Sequence, residues 1–125
     1  WLVGGARGRI VGERAMELGF HSLSVLAPAL ARQTGEATVE LALVTDRAQR
    51  VCDECGLVPE KAAAIGAARV IAAEYPGLHV RSIDVTSADD ADLVVDDVDA
   101  MLDPVVGYRG GQRWVLHQTL SQISV

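Results

Sequence analysis

Lys61 is the residue in this chain best placed to do chemistry. A tyrosine four residues ahead of a lysine on one helix shares a face with it. Such a pair can hand a proton to a substrate carbonyl. Here the position four residues before Lys61 is Leu57, so the lysine stands without its phenol. Lys61 therefore reads as a vestige, and no catalytic residue is expected in the chain.

Other groups invite a chemical reading and give less. Gly4-Gly5-Ala6-Arg7-Gly8 follows a short apolar run, where a dinucleotide fold places its phosphate loop. Glycine there lets the backbone approach a pyrophosphate, and the following helix N-terminus favours anions. The motif is incomplete: Arg9-Ile10-Val11 intervenes before Gly12, and no ribose-binding acid follows at the expected distance. Cofactor binding at Gly4, Gly5 and Gly8 is thus the weaker alternative to a plain turn. Cys52-Asp-Glu-Cys55 has the spacing of half a zinc site but no second pair. It sits in a loop rather than at a helix start that would activate a thiol. The aspartates from Asp84 to Asp103 follow a helical period instead of a calcium loop, and are expected to form a solvated face. His21, His79 and His117 share no spacing. No metal site is expected.

The elements around these residues alternate. Leu2-Val3 begins a strand, and a helix is expected from about Ala15 to Arg32, with Gly19 and Pro28 as local breaks. Val39 to Thr45 reads as a mostly buried strand. Pro59 suits a first helical turn and Tyr75-Pro76-Gly77 a stop, which predicts a helix over 59–74. That helix is apolar or small nearly all round, so it should be buried on more than one side, one against its own sheet and another against a second domain. Leu78 to Val85 alternates as a strand. Ser87 caps the next helix, whose stripe is Ala91, Val94, Val98 and Met101 with Leu102; Asp92, Asp96, Asp99 and Asp103 oppose it. Val105 to Arg109 and Gln112 to His117 flank Gly110-Gly111, a strong hairpin signal.

This order predicts an α/β fold: a truncated Rossmann-like, mostly parallel sheet flanked by helices, ending in a C-terminal β-hairpin. The 125 residues suffice for one domain, and the chain, starting at Trp1 inside an apolar run, reads as a segment of a larger protein. Its net charge of −6 argues against nucleic acid or an anionic membrane as partner. No apolar run has the length of a membrane span. A cytoplasmic location is expected, since two cysteines imply no disulfide framework.

Several segments together resemble the ketoreductase region of polyketide synthases, in its N-terminal structural half. They are Gly19-Phe-His-Ser-Leu23, Ala27-Pro-Ala-Leu-Ala-Arg-Gln33, Val44-Thr45, Pro59-Glu-Lys-Ala62, Arg69-Val-Ile-Ala-Ala-Glu-Tyr-Pro-Gly77, Ile83-Asp84 and Tyr108-Arg-Gly-Gly-Gln-Arg-Trp-Val115. The interval between Val3 and Gly19 is shorter than in that family. The resemblance implies a short-chain-reductase-like subdomain that binds no cofactor itself. It would brace an adjacent catalytic subdomain, which holds NADPH and reduces a β-ketoacyl group on acyl carrier protein. The docking elements would be the helix over 59–74 and the C-terminal hairpin. The alternative is a fragment of an active NADP-dependent short-chain reductase, using Gly4 to Gly8 and Lys61. A third reading is a redox module built on Cys52 and Cys55.

Overall fold

Local signals set most element boundaries. The structure, a computed structural model, describes residues 2–3, 12–35, 37–53, 56–100 and 103–119. The elements are β1 (Leu2–Val3), α1 (Gly12–Met16), a π-helical turn (Glu17–His21), α2 (Ser22–Thr34), β2 (Val39–Asp46), a 3₁₀ turn (Pro59–Lys61) leading into α3 (Ala62–Glu74), β3 (Leu78–Val85), a 3₁₀ turn (Ala88–Asp90) leading into α4 (Ala91–Ala100), β4 (Val105–Arg109) and β5 (Gln112–Val115). The expected break at Gly19 is instead a π turn inside a helical run from Gly12 to Thr34, and Pro28 lies within α2. A π turn absorbs an extra residue without ending the helix. The hydroxyls of Ser22 and Ser24 donate to the carbonyls of Leu18 (2.5 Å) and Phe20 (2.8 Å) in this stretch. Ser87 caps as its type predicts, its Oγ accepting from the Asp89 amide at 3.1 Å. Met101 and Leu102, expected at the end of the α4 stripe, lie outside the described residues. The second hairpin strand stops at Val115, short of His117. Gly110 (φ 57°) and Gly111 (φ 74°) supply the two positive φ angles of a tight hairpin turn.

The strands lie side by side in chain order, β1-β2-β3-β4-β5. All neighbours are parallel except β4 and β5, which pair antiparallel with Tyr108 opposite Arg113. Val44 faces Ile83, and Ile83 faces Val106 in the ladder. Because side chains alternate along a strand, this register sorts the core into two layers. On one face Leu43 and Leu78 pack with Leu23 and Ala27 of α2 and with Ala64, Ile65, Ala68 and Ile71 of α3. On the other, Ile83, Val106 and Tyr108 pack with Leu93, Val94 and Val98 of α4.

The connections β2–α3–β3 and β3–α4–β4 thus step in the same direction across the sheet with helices on opposite faces. Two such crossovers have opposite hands. Right-handed connections are nearly universal, so one connection here has the rare hand. The β1–β2 and β2–β3 connections share a face, and β3–α4–β4 takes the other. Its consequence is local: the α3 side of β4 and β5 has no helix over it among the described residues.

Candidate functional site

Parallel sheets bind ligands beyond the C-terminal ends of their strands, and that edge is occupied here by a buried ion pair. Asp84, wholly buried near the end of β3, takes Arg109 Nη2 of β4 at 2.7 Å. The Thr45 hydroxyl and the amides of Ala48 (2.9 Å) and Gln49 (3.4 Å) also donate to its carboxylate. Arg109 donates further to the carbonyls of Asp84 (3.0 Å), Tyr108 (2.9 Å) and Gln49 (2.9 Å). A buried charge is tolerable only with such full pairing. The cluster rivets the loop after β2 onto β3 and β4. It leaves neither the Asp84 carboxylate nor the Thr45 hydroxyl free to act on a substrate.

Lys61 stands beside this cluster at the last position of the 3₁₀ turn, with its side chain 4% exposed. Its Nζ is 3.1 Å from Asp46 Oδ2 and donates to the Asp46 carbonyl at 3.2 Å. Burial alone would push the Asp46 carboxyl up, but hydrogen bonds from Arg47 and Lys61, and their charges, outweigh it and hold the group below the usual carboxylate range. Leu57, half-buried, lies in the loop before the turn and not on the helix. The four-residue spacing therefore does not put Leu57 and Lys61 on one helical face. Gly4, Gly5 and Gly8 lie outside the described residues, as does Cys55; Cys52 is exposed. His21, His79 and His117 are all exposed, in the π turn, in β3 and beyond β5 respectively, with His79 beside Glu40 at 2.7 Å. No cluster of metal-ligating side chains occurs among the described residues.

The expectation of a wholly solvated aspartate face needs correction. Asp92, Asp96 and Asp99 are exposed, but Asp84, Asp90 and Asp97 are buried. Asp97 sits between two arginines on the α4 side of the sheet. Arg113 of β5 donates to its Oδ1 at 2.9 and 3.0 Å, and Arg81 of β3 approaches its Oδ2 at 3.5 Å. Arg81 also donates to the carbonyls of Asp97 (2.7 Å) and Asp103 (2.8 Å), while Arg113 Nη1 pairs with Asp103 at 2.8 Å. Burial, with the Asp97 charge second, pushes the Tyr108 phenol above its ordinary range. Both arginine networks join residues far apart in the chain. The hint was an arginine within one strand, Arg81, and at the end of another, Arg109, where a buried charge needs a partner.

The other open feature is on α3. One side of that helix is buried, but Ala62, Gly66, Val70 and Ala73, at helical spacing, are exposed. The expected burial on more than one side is therefore not supplied by the described chain. Between this face and α2 runs a groove of about 540 Å³, lined chiefly by Phe20, Pro28, Ala63, Gly66, Val70 and Tyr75. Phe20 and Val70 are 38% and 54% exposed. A Cβ built on Gly66 meets no atom within 4 Å. Nothing in the described chain requires glycine there.

The fold and these sites define a mostly parallel α/β unit with a riveted strand edge and an open helical groove. No helix among the described residues is long and apolar enough to cross a membrane. Comparison with protein-family models, curated proteins and solved structures finds no match to this chain.

Proposed function

We propose that the chain is a structural, Rossmann-like subdomain of a polyketide synthase ketoreductase, bracing the catalytic half without binding cofactor or substrate. The observation that carries this reading is the uncovered apolar groove on α3. Glycine inside a helix costs about 1 kcal/mol against alanine, and an exposed glycine with empty space beside it returns nothing to the folded chain. A partner backbone approaching Gly66 closely supplies the reason. The occupied strand edge agrees: Lys61 is committed to Asp46, and Asp84 is closed off by Arg109. In this reading NADPH and the reacting β-ketoacyl group, delivered on acyl carrier protein, belong to the neighbouring subdomain, and the assembly works in the cytoplasm.

The test has two parts. NADPH titrated into the isolated chain should give no saturable response; binding at micromolar levels would instead favour a fragment of an active short-chain reductase. Mixing the chain with a separately produced ketoreductase catalytic half should raise NADPH-dependent reduction of a β-ketoacyl thioester. A filled groove, as in Gly66→Leu, should abolish that gain while the variant stays folded.

A further inference from the structure

With α4 on the opposite face, a second surface lies open among the described residues, on the α3 side of the hairpin. Two clefts meet there at Val105. One, of about 120 Å³, is lined by Gln49, Arg50, Gly107, Trp114 and Leu116 among others. The other, of about 170 Å³, lies between α3 and β4 and is lined by Ile65, Arg69, Ser82 and Pro104 among others. Trp114 is 43% exposed and Leu116 51%. A mostly parallel sheet normally has both faces covered by helices, and α4 covers only the opposite one.

The chemistry of the missing cover can be read from its rim. The chain as a whole carries −6, yet no carboxylate lines either cleft among the described residues. Arg50 and Arg69 stand on either side of Val105, both exposed, and neither has an ion-pair partner among the described residues. Two buried groups, Gln49 Nε2 and the Ser82 hydroxyl, have no hydrogen-bond partner and line the same two clefts. Ser82 is only 4% exposed. All four groups can donate hydrogen bonds, and buried donors are rarely left unpaired. Two larger clefts differ, since Glu74 lines the α2–α3 groove and Glu40 and Asp103 line the cleft by His79.

We infer that this face docks an acidic amphipathic helix from a partner, lying beside α3 with its apolar stripe on Val105, Trp114 and Leu116 and its carboxylates on Arg50 and Arg69. The inference extends the docking role proposed above to a second face. Its test contains no reductase half, so the two stand or fall separately.

A Trp1→Phe variant leaves Trp114 as the only tryptophan of the two. It is titrated at low salt with a synthetic Leu/Glu/Ala peptide of about 20 residues, long enough to be helical alone, and with a Leu/Lys/Ala counterpart bearing the same apolar stripe. The expected result is a saturable blue shift of Trp114 emission with the acidic peptide only. The shift should weaken about fivefold to tenfold in Arg50→Ala/Arg69→Ala, from two exposed ion pairs, and the preference should reverse in Arg50→Glu/Arg69→Glu. These exposed substitutions should leave the far-ultraviolet dichroism unchanged. An equal shift with both peptides, or no shift, overturns the inference. So does a shift that tracks protein concentration without peptide, because a second copy would then be the cover.

Discussion

Replacing Gly66 separates what the isolated chain needs from what a partner needs. Gly66 lies mid-helix in α3 and is exposed, and a methyl group added there would meet no atom within 4 Å. Alanine at this position has no steric cost and gains no burial. Its effect is the backbone term alone, a stabilisation of about 0.5–1 kcal/mol. For 125 residues the entropy of unfolding is about 260 cal/mol/K, so Tm should rise by roughly 2–4 °C. Calorimetry and urea unfolding on the free chain measure this, with the urea slope unchanged. With the reductase half present the sign should invert for larger residues. Gly66→Leu places a branched side chain where the other backbone is proposed to sit, and overpacking of that kind costs about 1–3 kcal/mol. A weaker association by roughly tenfold or more is therefore expected from a variant at least as stable as the parent. If Gly66→Ala lowers Tm, the outer face of α3 is covered within the chain itself and the reasoning fails. If Gly66→Leu assembles as tightly as the parent, the groove is not the docking surface.

Arg109→Leu strands the Asp84 carboxylate in a dry site and should cost about 3–5 kcal/mol, read as the shift in urea midpoint, with much of it recovered in Arg109→Leu/Asp84→Leu. A Cβ on Gly107 would come within 2.5 Å of the Val51 side chain, so Gly107→Ala should destabilise by about 1–3 kcal/mol and Val51→Ala should relieve it in the double variant. Asp46 has its folded pKa lowered, so its contribution is present above the ordinary carboxylate range and lost as pH falls through it. The stability difference between the parent and Asp46→Asn, measured by urea unfolding, should therefore be larger at neutral pH than near pH 3. Tyr108 has its folded pKa raised, so its contribution holds below the ordinary phenol range and is lost as pH rises beyond it; Tyr108→Phe should flatten that alkaline decline in thermal unfolding.

Features written in a few adjacent residues are legible in the sequence alone. Pro59 at a helix start, Tyr75-Pro76-Gly77 at its end, the Ser87 cap and the Gly110-Gly111 turn each act through backbone restraint or a local hydrogen bond, and all fall where expected. The π turn at Gly19 is not legible in the same way. Glycine and a later proline suggest a break, whereas packing of Leu23 and Ala27 holds the helix through both. The Asp84–Arg109 and Arg81–Asp97 pairs span 25 and 16 residues. No local pattern specifies which carboxylate meets which guanidinium at that distance. The side of the sheet that α4 takes is equally hidden, because its apolar stripe of Leu93, Val94 and Val98 fits either face.

That choice of face links the two unusual parts of the molecule. Arg81, Ile83 and Val85 point one way from β3, and Ser82 and Asp84 the other. With α4 on the Arg81 side, Asp97 neutralises Arg81 and takes Arg113 of the hairpin as well. A helix on the Asp84 side would leave Arg81 without Asp97 and without the carbonyls of Asp97 and Asp103 to which it donates. The same choice leaves Asp84 to Arg109 and the loop after β2, which fills the strand edge where a parallel sheet would hold a ligand. It also leaves Val105, Trp114 and Leu116 with no helix over them among the described residues. A closed strand edge and an open hairpin face thus accompany one arrangement of charges on β3.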